Sequence, residues 1–161
     1  MSARFVLIFT LITTQSLMAA TKALPPVVYG EDNRVDVAFS TNELFKRLAK
    51  STATQILTTN LKSISKSEVV IGGKTLVDDN WCPEERFSTQ PAGLANCSGF
   101  LVAADILVTA GHCVESEIER VGHSWVFDYV VENEYQSEVI VKKSNVYRLK
   151  KVLFTKLTED G

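Results

Sequence analysis

From residue 68 onward the apolar positions come in short runs separated by turn-forming residues, the rhythm of strands rather than of helices. Glu68-Val69-Val70-Ile71, then Gly72-Gly73, then Lys74-Thr75-Leu76-Val77 predicts strand, tight turn and strand. Five further runs rich in Val, Ile, Tyr and Phe follow at short intervals: Gly99 to Val102, Ile106 to Thr109, Ser124 to Tyr129, Val139 to Lys142 and Val146 to Phe154. Short strands spaced in this way predict an all-β fold, an antiparallel barrel or sandwich. One segment carries a helical period instead. Thr41 and Asn42 cap a short helix through about Lys50, with Leu44, Phe45 and Leu48 on one face and Lys46, Arg47 and Lys50 mostly towards solvent. Before it, Pro25-Pro26 opens an extended stretch, and Gly30, Asp32 and Asn33 together read as a turn. No internal repeat or low-complexity tract interrupts the chain.

The first residues follow a different logic. Arg4 precedes the apolar run Phe5 to Ile12, and the small residues Ala19, Ala20 and Ala23 come after it, which is the pattern of a secretory signal peptide. A spanning helix wants about 20 apolar residues, and Thr13, Thr14, Gln15 and Ser16 end this run early. The expected organisation is therefore a signal peptide over 1–23, an amino-terminal or pro-like segment with the short helix over 24–66, and a β-domain over 67–161. Export, with no stable membrane insertion after cleavage of the signal, gives a secreted or periplasmic protein.

Composition narrows the function classes. The 161 residues are 45% hydrophobic and 22% charged, which suits one globular domain with an ordinary core. A formal net charge of -2 provides no broad basic surface, so nucleic acid is not an expected partner. The three cysteines, Cys82, Cys97 and Cys113, lie in an exported chain, where disulfides are favoured over free thiols or structural zinc, leaving one pair and one orphan. There is no C-x-x-C, and adjacent His112 and Cys113 are poorly spaced to share one ion, so no metal is expected.

The chemistry concentrates in Cys97 to Val114. Two strands meeting around Ala103-Ala104-Asp105 form a hairpin that brings its outer ends together, so Cys97 and Cys113 come within disulfide reach. Cys82 remains a rival partner for Cys97 at this point. A bridge between Cys97 and Cys113 would clamp the loop that carries His112 and contribute about 3 kcal/mol in the chain-entropy model.

Thr109-Ala110-Gly111-His112-Cys113 and, sixteen residues before the second cysteine, Cys97-Ser98-Gly99-Phe100-Leu101 together resemble the trypsin-like, chymotrypsin-fold serine peptidases. Val28 to Val35 and Trp125 to Tyr129 are similar to bacterial members of the glutamyl-endopeptidase-like branch. The resemblance implies a chymotrypsin-type antiparallel barrel, the first of two, with the Cys97–Cys113 disulfide. It implies His112 as the catalytic residue, a general base that takes a proton from a serine hydroxyl and returns it to the leaving amine. Imidazole, with an ordinary pKa of about 6.5, suits that role. Polypeptide is the implied substrate, and no cofactor is implied, since this chemistry runs on side chains and backbone amides.

Two members of the triad are not legible. The orienting carboxylate is expected roughly 40 to 50 residues beyond the histidine in an Asp-x-Ala-Leu strand. Asp160 stands at that distance but in a polar turn, and Asp128 reads as a strand residue without a catalytic role, so the carboxylate stays unassigned. Gly-Asp-Ser-Gly-Gly does not occur. The reading is a serine endopeptidase chain lacking its nucleophile and second barrel, inactive alone; the alternative is a degenerate piece with a binding or structural role. Of the remaining candidates, Val70-Ile71-Gly72-Gly73 resembles the start of mature trypsin-like enzymes but lacks a basic residue immediately before it, so a hairpin is favoured there. Cys82 is expected to pair with a cysteine of the absent half. His123 is read as a surface or satisfied histidine.

Overall fold

The computed structural model describes residues 30–72, 74–91, 94–133 and 135–156. The signal pattern of 1–23, Gly73 and Asp160 lie outside the described residues. The chain forms two compact units, Met1–Asn33 and Arg34–Gly161. In the first, Gly30 takes φ +87°, the left-handed conformation that its turn requires. Every element below belongs to the second.

The amino-terminal helix forms where its cap predicts. Helix α1 spans Glu43–Ala49, and the Asn42 side chain accepts hydrogen bonds from the Leu44 and Phe45 amides at 2.9 and 3.3 Å. Its apolar residues nevertheless stay in solvent, with Leu44, Phe45 and Leu48 47%, 60% and 54% exposed.

Eight strands follow among the described residues: β1 Thr52–Leu57, β2 Leu61–Ser63, β3 Glu68–Ile71, β4 Ala95–Ala103, β5 Ile106–Thr109, β6 His123–Phe127, β7 Val139–Lys142 and β8 Val146–Arg148. They build a five-stranded sheet in the order β5-β4-β1-β6-β8 and a three-stranded sheet in the order β2-β3-β7, and every pairing is antiparallel. Ile56 and Val126 from the larger sheet meet Val69, Ile71, Val139 and Val141 from the smaller one in a single buried cluster. Curled sheets around that core make the all-β, chymotrypsin-type barrel.

The larger sheet is also covered on its other face. Ala53, Trp125 and Phe127 project there and pack with Val114 of the histidine loop and with half-buried Leu101, Leu107, Leu149 and Val152. Both faces of β1 and β6 are therefore covered, and in β6 the four residues Ser124 to Phe127 are all buried rather than alternately exposed.

Three departures from the expected pattern have physical causes. β-structure begins at Thr52, not at Glu68: β1 sits at the centre of the larger sheet, and the expected division at residue 66 falls in the turn of the β2–β3 hairpin. Lys74 to Val77 is not a strand. Both edges of β3 are already taken by β2 and β7, and Asp78 accepts bonds from the Thr75 amide and hydroxyl, both at 2.8 Å, nucleating a 3-10 turn over Val77–Asp79. A second helix, α2 over Glu117–Gly122, follows the histidine loop. Its signal was the capping box Ser116-Glu117-Ile118-Glu119.

Candidate active site

β4 and β5 turn back at Ala104-Asp105, as their sequence predicts, and pair from Gly99↔Thr109 to Ala103↔Ile106. The open end of this hairpin carries Cys97 on one side and, beyond β5, the 3-10 turn Gly111–Val114 on the other. Cys97 and Cys113 are bridged, with their Cα atoms 6.1 Å apart. The Thr109 hydroxyl donates to the Ser98 carbonyl at 2.7 Å and ties the hairpin together one step inside the bridge.

Gly99 is a packing requirement rather than a flexible point. A Cβ built there would lie 2.5 Å from Leu107 Cδ2, 3.0 Å from Trp125 Cζ3 and 3.0 Å from the Val108 carbonyl oxygen. Leucine can rotate away, but the backbone oxygen cannot without opening the β4–β5 ladder. Gly99→Ala is expected to destabilise the fold by about 2 kcal/mol, the ordinary scale of overpacking, read as a lower urea midpoint at unchanged slope.

The loop holds its histidine between anchored neighbours. Cys113 and Val114 are 2% and 9% exposed, whereas His112 faces solvent. The Cys113 amide donates to the Ala110 carbonyl at 3.1 Å. Beneath the loop lies Gln55 of β1, fully buried. Its Nε2 donates to the Cys113 carbonyl at 2.7 Å and approaches the Glu119 carbonyl at 3.5 Å, while its Oε1 accepts from Asn96 Nδ2 at 3.0 Å.

After the loop, Ser116 starts α2 through a reciprocal capping box. The Glu119 carboxylate accepts from the Ser116 amide at 2.7 Å and its hydroxyl at 2.9 Å, and the Glu119 amide donates back at 3.1 Å. The bonds from the Ser116 amide, then from its hydroxyl, hold the Glu119 carboxyl below the ordinary range, with smaller help from the charges of His123 and His112. A carboxyl lowered in the folded state stabilises it above the unfolded pKa and loses that contribution as pH falls through the folded one. The first turn of α2 is therefore expected to fray on acidification, below the pH at which a free glutamate titrates. Ser116→Ala should move the Glu119 titration upward in a carboxyl 13C NMR experiment; an unmoved titration would refute the capping account.

Ligand atoms of Cys97, His112 and Cys113 lie within 4.8 Å of one another, but the disulfide uses both sulfurs and leaves no thiolate to offer a metal. Cys82 is exposed and is not the partner of Cys97. His123 opens β6, with Nδ1 3.3 Å from the Ile118 carbonyl. Asp128 lies just past β6 rather than in it, at φ 55°, and accepts from Asn145 Nδ2 at 2.6 Å. Val70 and Ile71 are buried in the central strand of the smaller sheet, where no peptidase could reach a bond before them without unfolding that sheet. The structure thus brings together Cys97, His112 and Cys113. Gln55, which the sequence did not single out, joins them.

The family model described as Trypsin matches residues 70–160, more than half of the chain, from within β3 to beyond β8. No curated protein and no solved structure matches.

Proposed function

Because the chain belongs to the trypsin family, we propose that it serves an exported serine endopeptidase and that His112 is the general base of its acyl-transfer chemistry. The observation that carries this reading is an imidazole open to solvent on a short turn whose next two residues are buried and whose base is closed by a disulfide. A base must be reachable by substrate and nucleophile yet fixed in place, and this arrangement supports both. His112 takes the proton of a serine hydroxyl as it attacks a peptide carbonyl, then delivers it to the departing amine; water repeats the cycle on the acyl-enzyme. The Gly-Asp-Ser-Gly-Gly motif does not occur in the 161 residues, so in this reading the serine and the amides that stabilise the oxyanion come from a second barrel. Residues 1–23 act as the export signal, and no helix among the described residues is long and apolar enough to cross a membrane. Membership of the glutamyl-endopeptidase-like branch rests on Val28 to Val35 and Trp125 to Tyr129 alone.

A second reading has one observation in its favour. Leu44, Phe45 and Leu48 on α1, and Phe100, Val102 and Val108 on the β4–β5 hairpin, leave apolar surface exposed, as a barrel serving as a binding piece would. The full translated product, purified from the medium of its expressing host, decides between the two. A fluorophosphonate is expected to form a covalent adduct at one serine of that product, with parallel loss of peptidase activity. A folded, secreted product that takes no label ends the enzyme reading in favour of the binding one.

A further inference from the structure

We propose that Gln55 is a positioning residue for His112, the post on the central strand that fixes both ends of the disulfide-closed loop; this rests on His112 being the general base. Gln55 has no exposed surface, and a buried primary amide is costly unless its donors and acceptor are paired. Here the pairing points in one direction. The two carbonyls it faces, of Cys113 and Glu119, only accept, so Nε2 must face them, and Oε1 must take the Asn96 amide. Asn96 directly precedes Cys97, and Cys113 directly follows His112. One side chain therefore bonds the backbone carbonyl of one half-cystine and the side-chain amide of the residue preceding the other, and reaches the first turn of α2.

The register shows why this residue sits where it does. On β1, Gln55 lies opposite Cys97 of β4 and Trp125 of β6, with Ala53 two residues before it on the same face. That face is the one covered by the histidine loop through Val114. An apolar residue at position 55 would pack there but leave the Cys113 carbonyl without its partner, and the turn Gly111–Val114 would be free to shift along the sheet. The disulfide limits the distance between Cys97 and Cys113 without fixing the rotation of the loop about that bond. The Gln55 amide, attached to a rigid strand, supplies the missing constraint.

The test compares Gln55→Met, which keeps the volume and removes the donors, with Ser124→Ala, which removes a different buried polar group, a hydroxyl whose partner is Thr58 rather than the loop. Two readouts need no catalysis: the His112 ring resonances in 1H–13C spectra, and the rate at which a phosphine reduces Cys97–Cys113 in the folded chain. Gln55→Met is expected to split or broaden the His112 signals and to speed reduction about tenfold, while Ser124→Ala leaves both within twofold. In the complete enzyme, kcat should fall at least tenfold with KM unchanged. Unaltered ring signals and reduction rate in a folded Gln55→Met chain overturn the proposal. If that variant does not fold, Asn96→Ala decides instead: it alters an exposed residue, should give the same changes in weaker form, and its silence would equally overturn the proposal. A wild type without peptidase activity sinks the enzyme reading but leaves the spectroscopic and reduction results to judge Gln55 separately.

Discussion

His112→Ala is expected to lower kcat for peptide or ester hydrolysis by the complete enzyme on the order of 10^6-fold, a barrier increase of about 8 kcal/mol. In the proposed mechanism, loss of the imidazole leaves the attacking hydroxyl without an acceptor for its proton at neutral pH and the leaving amine without a donor. The fold should not notice the change. The ring is exposed and its loop is held by Cys113, Val114 and Gln55, none of which is altered. Thermal unfolding of the variant should therefore fall within about 0.5 kcal/mol of wild type, as for other surface substitutions. Activity within tenfold of wild type in a folded variant would remove His112 from the mechanism. Equal losses of activity and of stability would make it structural instead.

The parts of this molecule that the sequence reveals are those whose information is local. The β4–β5 hairpin, β7 and the α1 cap follow from alternation and from side chains that bond their own backbone, and each forms where expected. β1 escapes for the converse reason. β1 opens with Thr52-Ala53-Thr54-Gln55, three polar residues in four, before Ile56 and Leu57, yet it is the central strand of the larger sheet, and its buried Gln55 bonds to residues 41, 58 and 64 positions away. Periodicity cannot report a partner that the chain reaches only after folding. The same limit hid the fate of Lys74 to Val77, whose strand propensity lost to an Asp78 side chain and to a β3 with no free edge. The site divides likewise: Cys97, His112 and Cys113 were legible through two spaced motifs, and Gln55 was not.

Replacing Cys97 and Cys113 together by serine should lower stability by about 3 kcal/mol through the freed 16-residue loop alone. In a unit of this size that is a fall in Tm of roughly 10 to 15 °C. The loss has a specific location. Cys113 is 2% exposed and Val114 packs on Ala53, Trp125 and Phe127, so a released loop uncovers the outer face of the larger sheet and bares the Gln55 amide to water. The bridge and the amide restrain the same four-residue turn, so their effects should not add. With the disulfide gone, the loop is already partly mobile, and Gln55→Met should then cost less than it does in the bridged chain, by about 0.5–1 kcal/mol of coupling. Thermal or urea unfolding of the four chains in the cycle measures this directly. Additive losses would mean that the disulfide and Gln55 hold different parts of the structure; a fall in Tm below about 3 °C for the double serine variant would mean that packing of Val114 secures the loop and the bridge only follows it.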